Sequence, residues 1–190
     1  MESGRWSDKN RFLAVLKINF LMFVGEFAVG LYSGSWMMLS DSFHLFLDTL
    51  APLSAYLSEL RILGLSQDKI KKASARFSIS LFFIAAGVVA WEAITRIKKP
   101  PEIKINTWFF VVAIIGLIGN FYSFLVLKKE GGENWSVIRK LLSRHMLIDT
   151  GGSIIIIVGA IGILIWQNYI LDPILSLVLA VFIVLAPFVD

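Results

Sequence analysis

Six long apolar runs constrain this chain more than any other feature of its sequence. They cover Phe12–Tyr32, Trp36–Leu60, Phe77–Arg96, Trp108–Leu127, Leu141–Trp166 and Asp172–Phe188. A helix needs about 20 mostly apolar residues to cross a bilayer, and each run is close to this length. With 57% hydrophobic residues and a mean hydropathy of +0.76, the chain is too apolar for a soluble domain. We therefore predict an all-α integral membrane protein with six transmembrane helices.

The polar start of the chain predicts a short tail outside the membrane. Residues 1–11 are mixed in charge and do not have the short apolar core and small-residue cleavage site of a signal peptide. We expect a cytoplasmic N-terminal tail over 1–11 and a six-helix transmembrane domain over 12–190. The first helix would then act as the targeting signal.

The distribution of basic residues predicts the orientation of these helices. Lys and Arg are concentrated in the tail and in the loops after the second and fourth runs, whereas the opposite side has Arg96, Lys98, Lys99 and Lys104. Cytoplasmic loops carry the excess of Lys and Arg in membrane proteins. This predicts a multi-pass protein with both termini cytoplasmic. The net charge of +4 is thus a topology signal, and we expect no nucleic-acid partner.

Both histidines of the chain lie in apolar runs, and each precedes an aspartate by four residues. The two pairs are His44/Asp48 in the second run and His145/Asp149 in the fifth. Residues four apart share one face of a helix. An aspartate near the centre of a bilayer costs about 2.5–3.5 kcal/mol, so intramembrane carboxylates usually have a function.

Two imidazoles and two carboxylates on facing helices form a ligand set that zinc favours. Cadmium or cobalt would fit similar ligands. The alternative interpretation is a buried polar network that joins two helices. Hydrogen bonds between membrane helices are worth only about 0.6 kcal/mol on average, which is too little to offset two carboxylates. We therefore predict that His44, Asp48, His145 and Asp149 bind a metal ion.

Four more polar residues lie inside the apolar runs and are candidates for the lining of an ion or proton pathway. Asp41 could support the metal ligands, relay ions towards them, or place a charge at the outer start of its helix. Glu26 could line the pathway or lie near the interface. For Asn19 and Asn120, hydrogen bonds between helices are favoured over metal ligation.

The two His-x-x-x-Asp pairs and the sequence around them resemble those of the cation diffusion facilitator family. Its members carry a His-or-Asp-x-x-x-Asp pair in helix two and another in helix five. The surrounding sequence is similar as well: it includes Asn19, Glu26, Ser33-Gly34-Ser35, Leu39-Ser40-Asp41, Glu92-Ala93-Ile94, Pro100-Pro101, Asn120, Gly152-Ser153 and Asp172-Pro173. The resemblance implies export of Zn²⁺ or a related divalent cation through a bundle of helices one, two, four and five.

The same resemblance implies a homodimer and a cytoplasmic metal-binding domain after helix six, for which this sequence has no residues beyond Asp190. Zinc binding requires neutral imidazole and ionised carboxylate, so the metal can exchange for protons. Proton antiport is the expected mechanism. We do not expect an enzyme, because four protein ligands would leave no coordination position for water.

Two other functions fit parts of the sequence. A membrane protein could bind zinc to sense it, without transporting it. His44 and His145 could also be axial haem ligands in an electron carrier, although a carboxylate one turn from each histidine is unexpected for that chemistry.

Overall fold

The computed structural model describes residues 8–50, 53, 67–128 and 137–185. The regular structure in these ranges is helical throughout. The helices are α1 (Asp8–Ser33), α2 (Trp36–Asp48), α3 (Gln67–Lys98), α4 (Thr107–Lys128), α5 (Val137–Trp166) and α6 (Leu171–Leu185). We call the end of the molecule where α1 begins the terminal end. The opposite end, with the connections α1–α2, α3–α4 and α5–α6, is the turn end.

The six helices confirm the predicted runs, with some differences at their limits. The later part of the second run, and the last residues of the sixth, lie outside the described residues. The helix α3 begins at Gln67, ten residues before the apolar run that starts at Phe77. Polar residues such as Lys and Gln are good helix formers, so a helix can extend beyond its apolar part.

Four of the helices form a ring around the polar interior. The contacts run from α1 to α2, from α2 to α5, from α5 to α4 and from α4 back to α1. The helices α3 and α6 pack on each other and lie beside this ring, where α3 contacts α2 and α6 contacts both α2 and α5. This arrangement agrees with the bundle of helices one, two, four and five that the family resemblance implies.

The exposed surface of the ring is apolar, whereas its interior contains polar side chains. Leu21, Ile118 and Val158 are 71%, 61% and 61% exposed, while Glu26 and Asn120 are buried. A soluble protein would show the opposite pattern, because exposed apolar surface of this extent is unfavourable in water. Lipid can solvate the apolar surface, and the buried polar groups then face one another.

Three of the described helices are long and apolar enough to cross a membrane by themselves. They contain the segments Asn10–Ser33, Thr107–Lys128 and Leu142–Trp166, and Leu171–Val181 is a shorter apolar helix. Trp91, Trp108 and Trp166 are exposed near the turn end, where tryptophan suits the interface between membrane and water. The architecture is that of an integral membrane protein.

A tight turn joins α1 to α2 at the turn end. Gly34 has a φ of +75°, which glycine adopts without strain, and its N–H donates to the Gly30 carbonyl at 3.0 Å. Ser35 then caps α2, since its side chain accepts from the Met38 N–H at 3.2 Å. The side chain of Leu39 lies so close to Gly30 that a Cβ there would be 2.9 Å from it.

Asp172 of α6 stabilises the same helix start from outside the turn. Its carboxylate accepts from the Trp36 N–H at 2.8 Å, from the Met37 N–H at 3.2 Å and from the Ser35 hydroxyl at 2.5 Å. A negative charge near a helix N-terminus is favoured by the helix dipole. Asp172 therefore holds the start of α6 against the start of α2.

Two buried arginines cap the end of α4 at the terminal end. Arg11 donates to the Val126 carbonyl at 2.5 Å, and Arg139 donates to the Leu127 carbonyl at 2.6 Å. The last carbonyls of a helix have no partner within it, and cations are favoured there. Two of the basic residues that predict the orientation thus also join α1 and α5 to α4.

We predict that Asp172→Ala lowers the free energy of unfolding by about 2 kcal/mol, because the helix N–H groups and the Ser35 hydroxyl lose a buried acceptor. Thermal unfolding in detergent, followed by circular dichroism, measures the change. Glu102→Gln is the control, because Glu102 is exposed at the same end. An unfolding midpoint for Asp172→Ala equal to that of the control would contradict this role.

Candidate metal centre

The four residues of the two His-x-x-x-Asp pairs come together between α2 and α5. The pairing is crossed: His44 Nε2 lies 3.1 Å from Asp149 Oδ1, and His145 Nε2 lies 2.7 Å from Asp48 Oδ1. Within each helix, His44 Nε2 is 3.3 Å from Asp48 Oδ2, and His145 Nε2 is 3.7 Å from Asp149 Oδ2. We call these four residues the tetrad.

The crossed pairing follows from the opposite directions of α2 and α5. The histidine of each pair precedes its aspartate, so in antiparallel helices each histidine is level with the aspartate of the other helix. The two motifs can be level only if α5 extends beyond the start of α2. Gly159 lies beside Met37 near the start of α2, and Trp166 is about 10 Å further along α5.

The tetrad has the dimensions of a tetrahedral metal site. Zinc binds imidazole nitrogen and carboxylate oxygen at about 2.0–2.2 Å, which places neighbouring ligand atoms about 3.4 Å apart. One ligand atom from each of the four residues lies within 4.8 Å of the others. Asp48 Oδ2 and Asp149 Oδ2 are buried and accept no hydrogen bond. A dication would satisfy both oxygen atoms.

The tetrad is largely enclosed by the protein. The side chains of His145 and His44 are 16% and 8% exposed, whereas those of Asp48 and Asp149 are almost fully buried. On the turn side, α2, α4 and α5 meet in an apolar cluster that includes Met37, Met38, Phe109 and Ile156. Of the four residues, His145 is therefore the most accessible.

The four other predicted polar residues are all buried around the tetrad. Asn19 lies on its terminal side, where Nδ2 is 3.9 Å from the sulfur of Met146. Asn120 donates to the Ser153 hydroxyl at 3.2 Å, which agrees with the expected hydrogen bond between helices. Glu26 and Asp41 interact with each other on the turn side. Both carboxylates are buried inside the protein, and their role in an ion or proton pathway stays a prediction.

Sequence reasoning did not assign roles to two residues that support the site. Ser153 accepts the Asn120 amide and donates to the Asp149 carbonyl at 3.2 Å, so it joins α4 to the turn of α5 that carries a tetrad residue. Met146 is fully buried beside Asn19. Ser153 follows Asp149 by four residues, and Met146 follows His145 by one. These positions indicate a supporting role only when the faces that α5 turns towards its neighbours are known.

The apolar surface, the helix ring and the buried tetrad define an integral membrane protein with a centre suited to a divalent cation. Comparison with known families agrees with this class, since residues 12–188 match the cation efflux transmembrane domain. The chain belongs to the cation efflux family, and the resemblance seen in the sequence is confirmed.

Curated relatives are named as metal transporters. The chain is 29% identical over 188 residues to the zinc transporter ZitB of Yersinia pseudotuberculosis, an alignment that covers 93% of this chain and 58% of the relative. ZitB of Escherichia coli is 30% identical, with coverages of 82% and 51%. The metal cation efflux system protein CzcD of Cupriavidus metallidurans is 32% identical, with coverages of 73% and 45%. The chain spans about half the length of these relatives.

If the tetrad binds zinc, the metal will stabilise the folded protein. At a free zinc concentration of about 100 times Kd, the free energy of unfolding should rise by about 2.7 kcal/mol. We expect this rise in the wild type and a clearly smaller one in Asp48→Asn, which keeps the shape of the side chain and removes its charge. Glu92→Gln, outside the tetrad at the end of α3, should respond like the wild type. Equal stabilisation of Asp48→Asn would place the zinc elsewhere.

Proposed function

We propose that this chain is the membrane domain of a secondary transporter that exports Zn²⁺, with His44, Asp48, His145 and Asp149 as the ligands of the transported ion. The observation that carries the proposal is the crossed pairing of the tetrad inside an apolar helix bundle. The names of the relatives support zinc as the substrate. Cadmium or cobalt could bind the same ligands, since selectivity among such metals depends on geometry as well as ligand type.

The charges of the tetrad suit a cycle that exchanges metal for protons. Two carboxylates balance the two charges of Zn²⁺, so the loaded site is close to neutral inside the membrane. When the ion leaves, the carboxylates need another positive partner. Protons on the histidines supply it, because Nε2 of each ring lies within 3.1 Å of an aspartate oxygen. Zinc and protons thus compete for the same atoms.

The distribution of ligands over two helices suggests how the site changes its access. The helices α2 and α5 contribute one histidine and one aspartate each. A movement of α2 against α5 would separate the pairs and lower the affinity for the ion. The ligands would then be reached from one face of the membrane in one arrangement of the helices and from the other face in the second arrangement.

Of the two rival functions, the zinc sensor is left to experiment, whereas haem binding conflicts with the geometry. A zinc sensor would bind the metal without transporting it. Haem binding would require a porphyrin between His44 and His145, but their ring centroids are 5.5 Å apart and both aspartates occupy the space around the imidazole nitrogens. The homodimer implied by the family resemblance stays a prediction.

Zinc uptake into proteoliposomes with an imposed proton gradient tests the transport function. We expect gradient-dependent uptake by the wild type, and a reduction to the level of empty liposomes in the double variant His44→Ala, Asp149→Ala and in Asp48→Asn. Glu92→Gln is the matched control and should keep its flux. Full flux in Asp48→Asn would refute the site, whereas zinc binding by the wild type without any flux would select the sensor.

The orientation has its own test, because the chain has no cysteine. Cysteine introduced by Lys99→Cys at the turn end should react with a membrane-impermeant maleimide in intact cells. Cysteine introduced by Ser3→Cys should react only after the cells are permeabilised, because the basic loops favour a cytoplasmic terminal end. Labelling of Ser3→Cys in intact cells would reverse the proposed orientation.

A further inference from the structure

Two buried carboxyl groups meet on the turn side of the tetrad. Glu26 of α1 and Asp41 of α2 lie within hydrogen-bonding reach of each other, and they are only 2% and 5% exposed. Asp41 precedes His44 by three residues, which corresponds to about 4.5 Å along α2. The acid pair formed by Glu26 and Asp41 is therefore the next polar layer between the tetrad and the turn end.

The acid pair has more acceptors than donors. Glu26 Oε2 and Asp41 Oδ2 are buried and accept no hydrogen bond. Two ionised carboxylates cannot donate to each other. The charge of His44 acts on Asp41, but this histidine already faces Asp48 and Asp149. A buried carboxylate pair without a positive partner is strongly unfavourable, so the site requires a cation or a proton.

Two glycines keep the space around the acid pair free of side chains. On α4, a Cβ at Gly116 would overlap with Glu26 Oε1. On α5, a Cβ at Gly152 would lie 3.8 Å from Asp41 Oδ1. The carboxylates thus approach the backbones of α4 and α5 closely, and all four helices of the ring meet at this layer.

Further oxygen atoms lie at the same layer. The Ser153 hydroxyl would be 4.0 Å from a Cβ at Gly116, and it holds the amide of Asn120 at 3.2 Å. Asn120 is 1% exposed, and its Oδ1 accepts no hydrogen bond. Carboxylate, amide and hydroxyl oxygens are ligands for divalent cations, and none of the four residues Glu26, Asp41, Asn120 and Ser153 is a histidine.

From this geometry we propose that Glu26 and Asp41 form a second binding site for the divalent cation, which uses only oxygen ligands and lies one helical turn from the tetrad towards the turn end. The proposal rests on the transport function proposed above and adds a step to it. Zinc prefers a site with imidazole nitrogen over oxygen ligands alone. The second site is therefore the weaker one, from which an ion that has left the tetrad can dissociate.

The test counts the zinc ions bound by the purified full chain in detergent, by equilibrium dialysis. The wild type should bind two ions, and the double variant Glu26→Gln, Asp41→Asn should bind one. A tetrad variant (His44→Gln, Asp48→Asn, His145→Gln, Asp149→Asn) should also bind one, more weakly. X-ray absorption at the zinc edge should show oxygen ligands and no imidazole scattering in that variant. Adding Glu92→Gln to the tetrad variant should change nothing.

The possible outcomes separate the two proposals. If Glu26→Gln, Asp41→Asn binds as much zinc as the wild type, while the tetrad variant binds none and keeps its helical circular dichroism, then the acid pair holds a proton and the second site is wrong. The transport function would survive that result. If the wild type binds zinc without imidazole scattering, the tetrad assignment fails instead, even where the acid pair binds its ion.

Discussion

The crossed pairing of two histidines with two aspartates is the interaction on which the interior of this protein depends. Each aspartate would cost about 2.5–3.5 kcal/mol at the centre of a bilayer by itself. In the tetrad, each aspartate faces an imidazole from the opposite helix, at 3.1 Å for Asp149 and 2.7 Å for Asp48. The pairing requires that α2 and α5 run antiparallel and that their two motifs lie at the same depth. The polar side chains therefore fix the relative position of the two helices.

The rest of the bundle holds α2 and α5 in this register. Asp172 and Ser35 bind the start of α2 at the turn end, and Arg139 joins α5 to the end of α4 at the terminal end. Asn120 and Ser153 add a hydrogen bond between α4 and α5 beside the tetrad. These contacts are polar. Apolar side chains are solvated by lipid about as well as by another helix, so they add little hydrophobic driving force for helix packing.

The sequence predicted the class of fold and singled out the four residues that meet in the tetrad, but it left the environment of the other polar residues open. Apolar runs of membrane length identify helices directly. In lipid, a continuous apolar segment must satisfy its own backbone hydrogen bonds, and a helix does so within the segment. Glu26 and Asp41 were ambiguous, because a carboxylate at this depth can face lipid headgroups or the protein interior. Their neighbours, Gly116 and Gly152, are about 90 and 111 residues away in the chain, a separation that no local pattern encodes.

The sequence by itself determined that the chain spans a membrane with helices and that its two histidines each share a helix face with an aspartate. Both properties are local, because they depend on hydropathy and on the 3.6-residue period of the helix. Only the tertiary structure decided that His44 faces Asp149 rather than its own neighbour alone, that Asp172 caps α2, and that Glu26 reaches Asp41. These contacts depend on the direction, depth and rotation of packed helices, which are set by side chains far apart in sequence.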